Sequence, residues 1–547
     1  MKKSVLDLIE VSSSEAGLEQ YSRLCTGISW DAELRRLLDA NGKMNIAALA
    51  LKGLADGIST AHNAFIVSSP SGISTISRLE LEEAVRRLAG GLKERHGVKP
   101  GEAVAIFLPN GREMALSILT LAYIGAVAAP IIDMYKAEPV RSRLNNLKPR
   151  ILITAKGMLE TIGLEASEFV KTVITLESGF DDLLKSAPAE PLMVEPGTPY
   201  IVHYTSGTYG TPKGIVHSHG GAAGAYRTAE WTFNLRPGKR IWVTGHPGWL
   251  PASVYGIFGA LFCGAASVLH SGKIDAHLLG DLKPTAVYTI PSIIAQAVAG
   301  GAAATDFSSI EVLAATGERL SPTLAAQVKE QTGIDILGTF CMTETGMIMI
   351  SNYPFAPLKG GSVGMTVPGL RAIVINESDV EQMPNTLGIL AFERNWPSMM
   401  YGIYGDGRGI DDAFSSKHFV TTDYAYRDDD GYFWVLGRGE EFIKRGSERI
   451  SPFELEDVLL THPAVGEVAA IQFVKDGRER MKIFAVLAAG FEAGPEITES
   501  MKDHVRDNMG AYAVPDDIEF MDELPKTRTG KVLRRNLKAK EQNLPEE

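Results

Sequence analysis

Cysteine is scarce: the 547 residues hold three, at positions 25, 263 and 341. Three scattered thiols cannot build a disulfide framework, and no C-x-x-C pair offers a thiolate zinc site or a redox motif. That usage fits a reducing compartment and predicts a cytoplasmic protein. Histidine is also sparse, with eleven residues and no H-x-x-x-H spacing, so zinc catalysis has no support. Basic residues number 54 against 66 acidic ones, a net charge of −12. A bulk nucleic-acid binder would be basic. A phosphate-bearing partner must therefore be held by local donors against the overall field. Two long uncharged runs stand out, 114–132 and 241–272. The first contains Gly125 and Pro130, the second Pro247, Pro251 and several glycines, so both read as buried segments and not as membrane spans. Met1-Lys2-Lys3 resembles the start of a signal peptide, but Asp7 and Glu10 interrupt its apolar core.

What is present is ordinary globular composition, 45% hydrophobic and 22% charged. The length predicts several units. The early chain alternates helix and strand patterns: a helix over 79–96, a strand over 103–108, a helix over 114–126, and strands over 127–132 and 151–154. That rhythm predicts a mostly parallel sheet covered by helices. Further strands are predicted over 200–204, 266–269, 286–288, 312–315 and 334–337. Beyond about residue 360 the texture becomes short and β-rich, with Asp428-Asp429-Asp430-Gly431 as a hairpin turn, which predicts a small antiparallel barrel or sheet. After Gly437 the pattern changes again. A helix over 452–461 opens on Ser451 as N-cap, with Pro452 first and Glu454 third. Strands over 468–474 and 482–488 and a helix over 497–509 complete a separate α+β unit. The fold class is therefore α/β. A large N-terminal unit (1–437, with subunits about 1–190, 191–359 and 360–437) precedes a small mobile one (438–547).

The strongest chemical signal is Tyr204-Thr205-Ser206-Gly207-Thr208-Tyr209-Gly210-Thr211-Pro212-Lys213-Gly214, directly after an apolar strand. Glycines free backbone N–H groups for phosphate oxygens, the hydroxyls add donors, and Lys213 adds charge. It is not a Walker A loop, which ends in G-K-[ST]; Pro212 and Gly214 occupy those flanking places. A P-loop NTPase is thereby excluded.

This run resembles the phosphate loop of the adenylate-forming superfamily of acyl-CoA synthetases, peptide-synthetase adenylation domains and luciferases. Four more blocks follow in the expected order: Gly338-Thr339-Phe340-Cys341-Met342-Thr343-Glu344-Thr345, Thr421-Thr422-Asp423, Gly437-Arg438-Gly439-Glu440-Glu441-Phe442-Ile443-Lys444, and Pro525-Lys526-Thr527-Arg528-Thr529-Gly530-Lys531. The resemblance implies ATP-dependent activation of a carboxylate, with attack on the α-phosphate and loss of pyrophosphate. It implies that Thr205, Ser206, Gly207, Thr208, Thr211 and Lys213 embrace the β- and γ-phosphates. Thr343 would donate to the α-phosphate and Glu344 would hold Mg²⁺. Gly317, Glu318 and Arg319 would line the adenine, with Gly338, Thr339 and Val435 also at the nucleotide. Asp423 would accept from the ribose hydroxyls, and Arg438 and Arg449 would contact ribose or phosphate. Lys531, in a stretch 524–540 with seven Lys/Arg and no acid, would bridge carboxylate and α-phosphate. Glu440 stands at the hinge, where the family usually has Asp.

Within the superfamily, the run 241–268 and Asn395-Trp396-Pro397 with Tyr404-Gly405-Asp406 resemble AMP-forming acetyl-CoA and medium-chain acyl-CoA synthetases. Their acid pocket would here be lined by Trp249, Leu250, Pro251, Thr316 and Cys341. In acetyl-CoA synthetases a Trp stands at the position of Cys341 and closes the pocket. A small side chain predicts an acid larger than propionate, unless Trp249 or Phe340 refills the space. Cys341 reads as a wall residue and not a nucleophile, since nothing nearby in sequence lowers its pKa. CoA, the second substrate beside ATP, would meet Arg506 and the turn Gly446-Ser447. Gly is usual at the second of these turn positions, and the paired arginines some members place after the 151–154 strand are missing. His462, at a backbone cation site of the family, reads as structural. The implied partners are small molecules, with no nucleic acid and no membrane span, and self-association is left open. Two further readings remain: acyl transfer to a carrier protein, and a nucleotide-binding regulator without catalysis.

Overall fold

The computed structural model describes residues 15–163, 169–205, 212–274, 277–299, 306–394, 396–405, 418–439, 441–445, 448–475, 478–526 and 532–542. Two large sheets dominate. One has seven strands in the order Gly402–Ile403, Lys213–Ser218, Pro199–Thr205, Val127–Pro130, Ala103–Phe107, Ile151–Thr154 and Thr172–Thr175. The four pairings from Pro199–Thr205 through to Thr172–Thr175 are parallel, and the two at the other end, which join Gly402–Ile403, Lys213–Ser218 and Pro199–Thr205, are antiparallel. The other has nine, running from Met365–Thr366 through Ile350–Ser351, Ile336–Phe340, Val312–Ala315, Ala286–Thr289, Arg240–Val243 and Ala266–His270 to Asn63–Ser69 and Gly72–Ser77. Its five central pairings are parallel, as the alternating helix–strand rhythm predicts. Antiparallel strands close both ends of this sheet.

The predicted helix over 79–96 forms as Arg78–His96. Ser77 accepts from the Glu80 N–H and the Glu80 carboxylate accepts from the Ser77 N–H, a reciprocal cap at 3.2 and 2.8 Å. Gly97, at φ 58°, ends it in the left-handed conformation that glycine adopts cheaply. The first uncharged run becomes the helix Arg112–Tyr123, buried from Met114 to Tyr123, followed by the strand Val127–Pro130. It lies within the largest apolar cluster, which draws residues from both large sheets. Among the described residues no helix is long and apolar enough to cross a membrane.

The β-rich stretch forms a four-stranded antiparallel sheet, Ala372–Ile375, Gly388–Glu393, His418–Arg427 and Phe433–Arg438. The Asp428–Gly431 turn joins its last two strands, with Asp428 Oδ1 accepting from the N–H groups of Asp430 and Tyr432. The smaller C-terminal part is a three-stranded sheet, Val465–Lys475, Arg478–Leu487 and Asp517–Phe520, packed with the helices Pro452–Leu460, Pro495–Met509 and Arg534–Glu541. It has its own apolar clusters. Ser451 caps the first helix as predicted, accepting from the Glu454 N–H at 3.4 Å.

Candidate active site

Several predicted site residues gather at the ends of neighbouring strands. Thr205 ends Pro199–Thr205 and Lys213 opens Lys213–Ser218; the two face each other across an antiparallel pair. The loop between them carries Ser206, Gly207, Thr208 and Thr211, which lie outside the described residues, as do Glu440, Gly446, Ser447 and Lys531. Arg449 is placed by its backbone, opposite Lys444 in a short hairpin.

Thr343 and Glu344 sit in a tight turn after the strand Ile336–Phe340. Thr345 folds it: its hydroxyl accepts from the Met342 N–H at 3.0 Å and lies 2.9 Å from the carbonyls of Met342 and Met347. Trp396 donates its indole N–H to the Thr345 carbonyl at 2.8 Å, and the Met400 N–H reaches the Glu344 carbonyl at 3.0 Å. Gly338, in the strand itself, is pressed so close to Ser362 that a Cβ would lie 2.9 Å from its carbonyl oxygen. Thr339 turns into the core, with its hydroxyl 2.9 Å from the Tyr288 hydroxyl and donating to the Ala315 carbonyl at 3.1 Å. Its side chain is thus committed to the fold.

Gly317 takes φ +80° at the end of the strand Val312–Ala315. The Glu318 carboxylate is held by the Ser292 N–H and hydroxyl at 2.9 and 3.1 Å. Arg319 crosses to the C-terminal part, donating to the Phe453 carbonyl at 3.2 Å and pairing with Asp457. Asp423 lies opposite Arg438 in the four-stranded sheet. Burial pushes its carboxyl up to about 6; Arg438 opposes that shift, while Glu441 and Glu344 add to it. Val435 is half-buried against the main core.

Cys341 follows the strand that carries Thr339. Its Sγ lies 3.6 Å from the Thr316 hydroxyl and 3.9 Å from the Tyr288 hydroxyl. Burial raises its thiol pKa, which fits a wall residue and not a nucleophile. Phe340 is stacked on Phe392 at 6.1 Å. Trp249 lies over Gly245, where a Cβ would meet its ring at 2.3 Å, and near Gly317, where one would meet it at 3.7 Å. Leu250 and Pro251 are buried at the start of the next helix. Arg506 lies on Pro495–Met509, paired with Asp503 one turn before it. His462 is held at 2.9 Å by Ser500 and accepts from the Ala464 N–H, a structural role.

Residues that the motifs do not single out complete the site. Tyr288 floors the Cys341 region, and the Tyr255 hydroxyl accepts from the Ile348 N–H at 2.7 Å just beyond the Thr343–Glu344 turn. Tyr255 lies in a π-helical turn, Val254–Gly259, inside the second uncharged run. Its only sequence signal is an apolar stretch, which cannot reveal such a turn. His246 donates from Nε2 to the Leu108 carbonyl at 2.9 Å and accepts at Nδ1 from the Gly248 N–H. The two bonds fix the tautomer with its proton on Nε2, and burial lowers the ring's pKa while Asp133 opposes that shift.

Among the described residues no group of three or more His, Cys, Asp or Glu could hold a metal alone. A single carboxylate such as Glu344 still fits Mg²⁺, which commonly takes one or two carboxylates, water and substrate phosphates.

Known proteins resemble this arrangement throughout its length. Residues 59–404 match the AMP-binding enzyme family and residues 454–531 the AMP-binding enzyme C-terminal domain. An acetyl-coenzyme A synthetase of Bacillus subtilis (strain 168) is 32% identical over 562 residues, spanning 99% of this chain and 98% of that one. One from Pyrobaculum aerophilum is 32% identical over 520 residues, 86% of this chain and 78% of that one. Among solved structures, an anthranilate CoA ligase in complex with anthranoyl-AMP superposes with a TM-score of 0.80 at 25% identity, covering 91% of this chain and 97% of that one. The five ordered motifs, the two matched domains and full-length relatives agree: this chain belongs to the AMP-binding enzyme family and is an adenylate-forming acyl-CoA synthetase.

Proposed function

We propose that this enzyme activates a carboxylic acid larger than propionate, of the medium-chain, branched, alicyclic or aromatic kind, and transfers it to CoA. The observation that carries the reading is the wall at Cys341. A small side chain stands there, Phe340 is stacked against Phe392, and Trp249 packs on Gly245. Neither aromatic ring is free to fill the space without leaving a packed contact. Each methylene accommodated there is worth roughly 1–3 kcal/mol of discrimination.

The acid oxygen attacks the α-phosphorus of ATP, forming the acyl-phosphate bond as the bond to pyrophosphate breaks. Lys531 and Thr343 place positive charge and a donor where charge builds on the phosphate oxygens. The loop from Thr205 to Lys213 holds the leaving pyrophosphate, and Asp423 accepts from the ribose hydroxyls. Glu344 would hold Mg²⁺ together with the nucleotide, and the ion would supply charge neutralisation there. The CoA thiol then attacks the acyl carbon and AMP leaves; the sequence can also run in reverse. Arg506 and Gly446-Ser447 serve CoA. The small unit 438–547 turns about Glu440, withdrawing Lys531 for this second step. The setting is cytoplasmic.

Acetate is the second reading, favoured by the acetyl-coenzyme A synthetase relatives. Pyrophosphate release, measured with and without CoA, tests the scheme. AMP production that requires the acid and turns over only with CoA is expected. Pyrophosphate release without CoA-dependent turnover would favour a carrier protein as acceptor.

A further inference from the structure

The segment from Trp396 to Tyr404 runs between the two halves of the nucleotide site and touches both. At one end Trp396 holds the Thr345 carbonyl at 2.8 Å and the Met400 N–H holds the Glu344 carbonyl at 3.0 Å. At the other, Gly402 and Ile403 pair with Val216 and Ile215. The Tyr401 and Tyr404 N–H groups reach the carbonyls of Val216 and Gly214 at 2.7 and 2.8 Å. Gly214 directly follows Lys213 at the exit of the phosphate loop. The strap thus ties the strand Lys213–Ser218 of the seven-stranded sheet to the turn that follows Ile336–Phe340 of the nine-stranded one.

The contact is too close for ordinary side chains. Gly346 sits at φ +71°, and a Cβ on it would lie 2.0 Å from the Ser398 carbonyl oxygen and 3.0 Å from His217 Nδ1. On the opposite side, a Cβ on Gly224 would lie 2.1 Å from Ser398 Oγ. The strap is therefore wedged between the helix Ala222–Phe233 and the Thr343–Gly346 turn. Trp396 is 4% exposed and meets Phe392 and Phe419 edge-on at 6.3 and 5.8 Å. Its indole can hardly move without disturbing three neighbours.

We propose that Trp396 is a positioning residue that, through the strap, fixes the spacing between Lys213-Gly214, where the chain leaves the phosphate loop, and the Thr343–Glu344 turn. This rests on the reading above that both elements hold ATP. A backbone tie of this kind leaves the Thr343 and Glu344 side chains free for the nucleotide. It also makes their register depend on a residue that touches neither ATP nor acid.

The test compares four purified full-length variants by calorimetric titration with ATP and Mg²⁺, alongside thermal unfolding and steady-state kinetics. Trp396→Phe deletes the N–H and keeps an aromatic ring. ATP is expected to bind about 3- to 10-fold more weakly, the range one buried hydrogen bond supports, with the KM for acid and CoA unchanged. Phe419→Leu loosens the same packing without removing a donor; it should lower the melting temperature and leave ATP affinity alone. If Trp396→Phe does not fold, Gly346→Ala crowds the adjacent contact of the turn with Ser398 of the strap and should weaken ATP similarly. Wild-type ATP affinity in Trp396→Phe, or in Gly346→Ala where that is the folded variant, overturns the proposal. So does an equal loss in Phe419→Leu. Glu344→Gln separates the two layers: if it binds ATP and Mg²⁺ as the wild type does, the reading of the Glu344 site is what fails.

Discussion

Arg534 Nη2 reaches both carboxylate oxygens of Glu456, at 2.7 and 2.6 Å, and its guanidinium lies 4.3 Å from the Phe453 ring centre. Arg534 stands three residues beyond Lys531. Glu456 is nine-tenths buried and also accepts from the Ala470 N–H at 2.7 Å. The pair therefore moors the helix Arg534–Glu541, and with it one end of the lysine segment, to the helix Pro452–Leu460. Removing one partner of a buried pair costs about 3–5 kcal/mol, since the other charge is left unmatched. Glu456→Ala should release residues 534–541, seen as faster amide exchange there, and should slow adenylation. Unchanged exchange would show that the helix is held by Lys482 and Glu541 instead, which meet at 2.7 Å.

Lys531→Ala should lower adenylation on the order of 10²–10³-fold, as expected for one donor to a developing oxyanion. Thermal unfolding should not move. Pyrophosphate exchange measures the loss without involving CoA.

Asp423 gives a pH signature. Its folded carboxyl titrates near 6, against an ordinary value of 3.8. The folded state therefore binds this proton more tightly than the unfolded chain. The associated stability is fully present below about pH 4 and is lost as pH rises through 6. Ligand binding runs the other way, because only the ionised form accepts from two ribose hydroxyls. Adenosine, which carries no phosphate to titrate, should inhibit more strongly above pH 6 and lose up to about tenfold per pH unit below it. Asp423→Asn should flatten that profile, and a slope that survives the substitution would assign the titration to another group.

Cys341→Trp should restore the closed pocket. Activity on acids of six or more carbons should fall at least about 100-fold, a loss that even one misfitting methylene can reach, while acetate is retained or improved. The ratio of kcat/KM values for hexanoate and acetate measures this.

Most of the fold was legible because its parallel strands are short apolar runs between amphipathic helices. Where the reading slipped, a local interaction decided. The strand predicted over 334–337 forms at Ile336–Phe340. Gly333 ends the preceding helix at φ +75°, and the Ile334 N–H is taken by the Thr332 hydroxyl, so ladder pairing starts two residues later. The antiparallel pairing of Pro199–Thr205 with Lys213–Ser218 was hidden for a similar reason: the second strand begins in Lys213-Gly214, next to Pro212, and reads as loop. The motif blocks themselves stand out in the sequence because their spacing is local. Trp396 on the Thr345 carbonyl and Tyr255 on the Ile348 N–H span 51 and 93 residues. No periodicity records such contacts.

The most direct test is kcat/KM for AMP formation with ATP, Mg²⁺ and CoA across acetate, propionate, hexanoate, cyclohexane carboxylate and benzoate. The account predicts the highest value for an acid larger than propionate. A highest value for acetate would contradict it and show that other side chains refill the space beside Cys341.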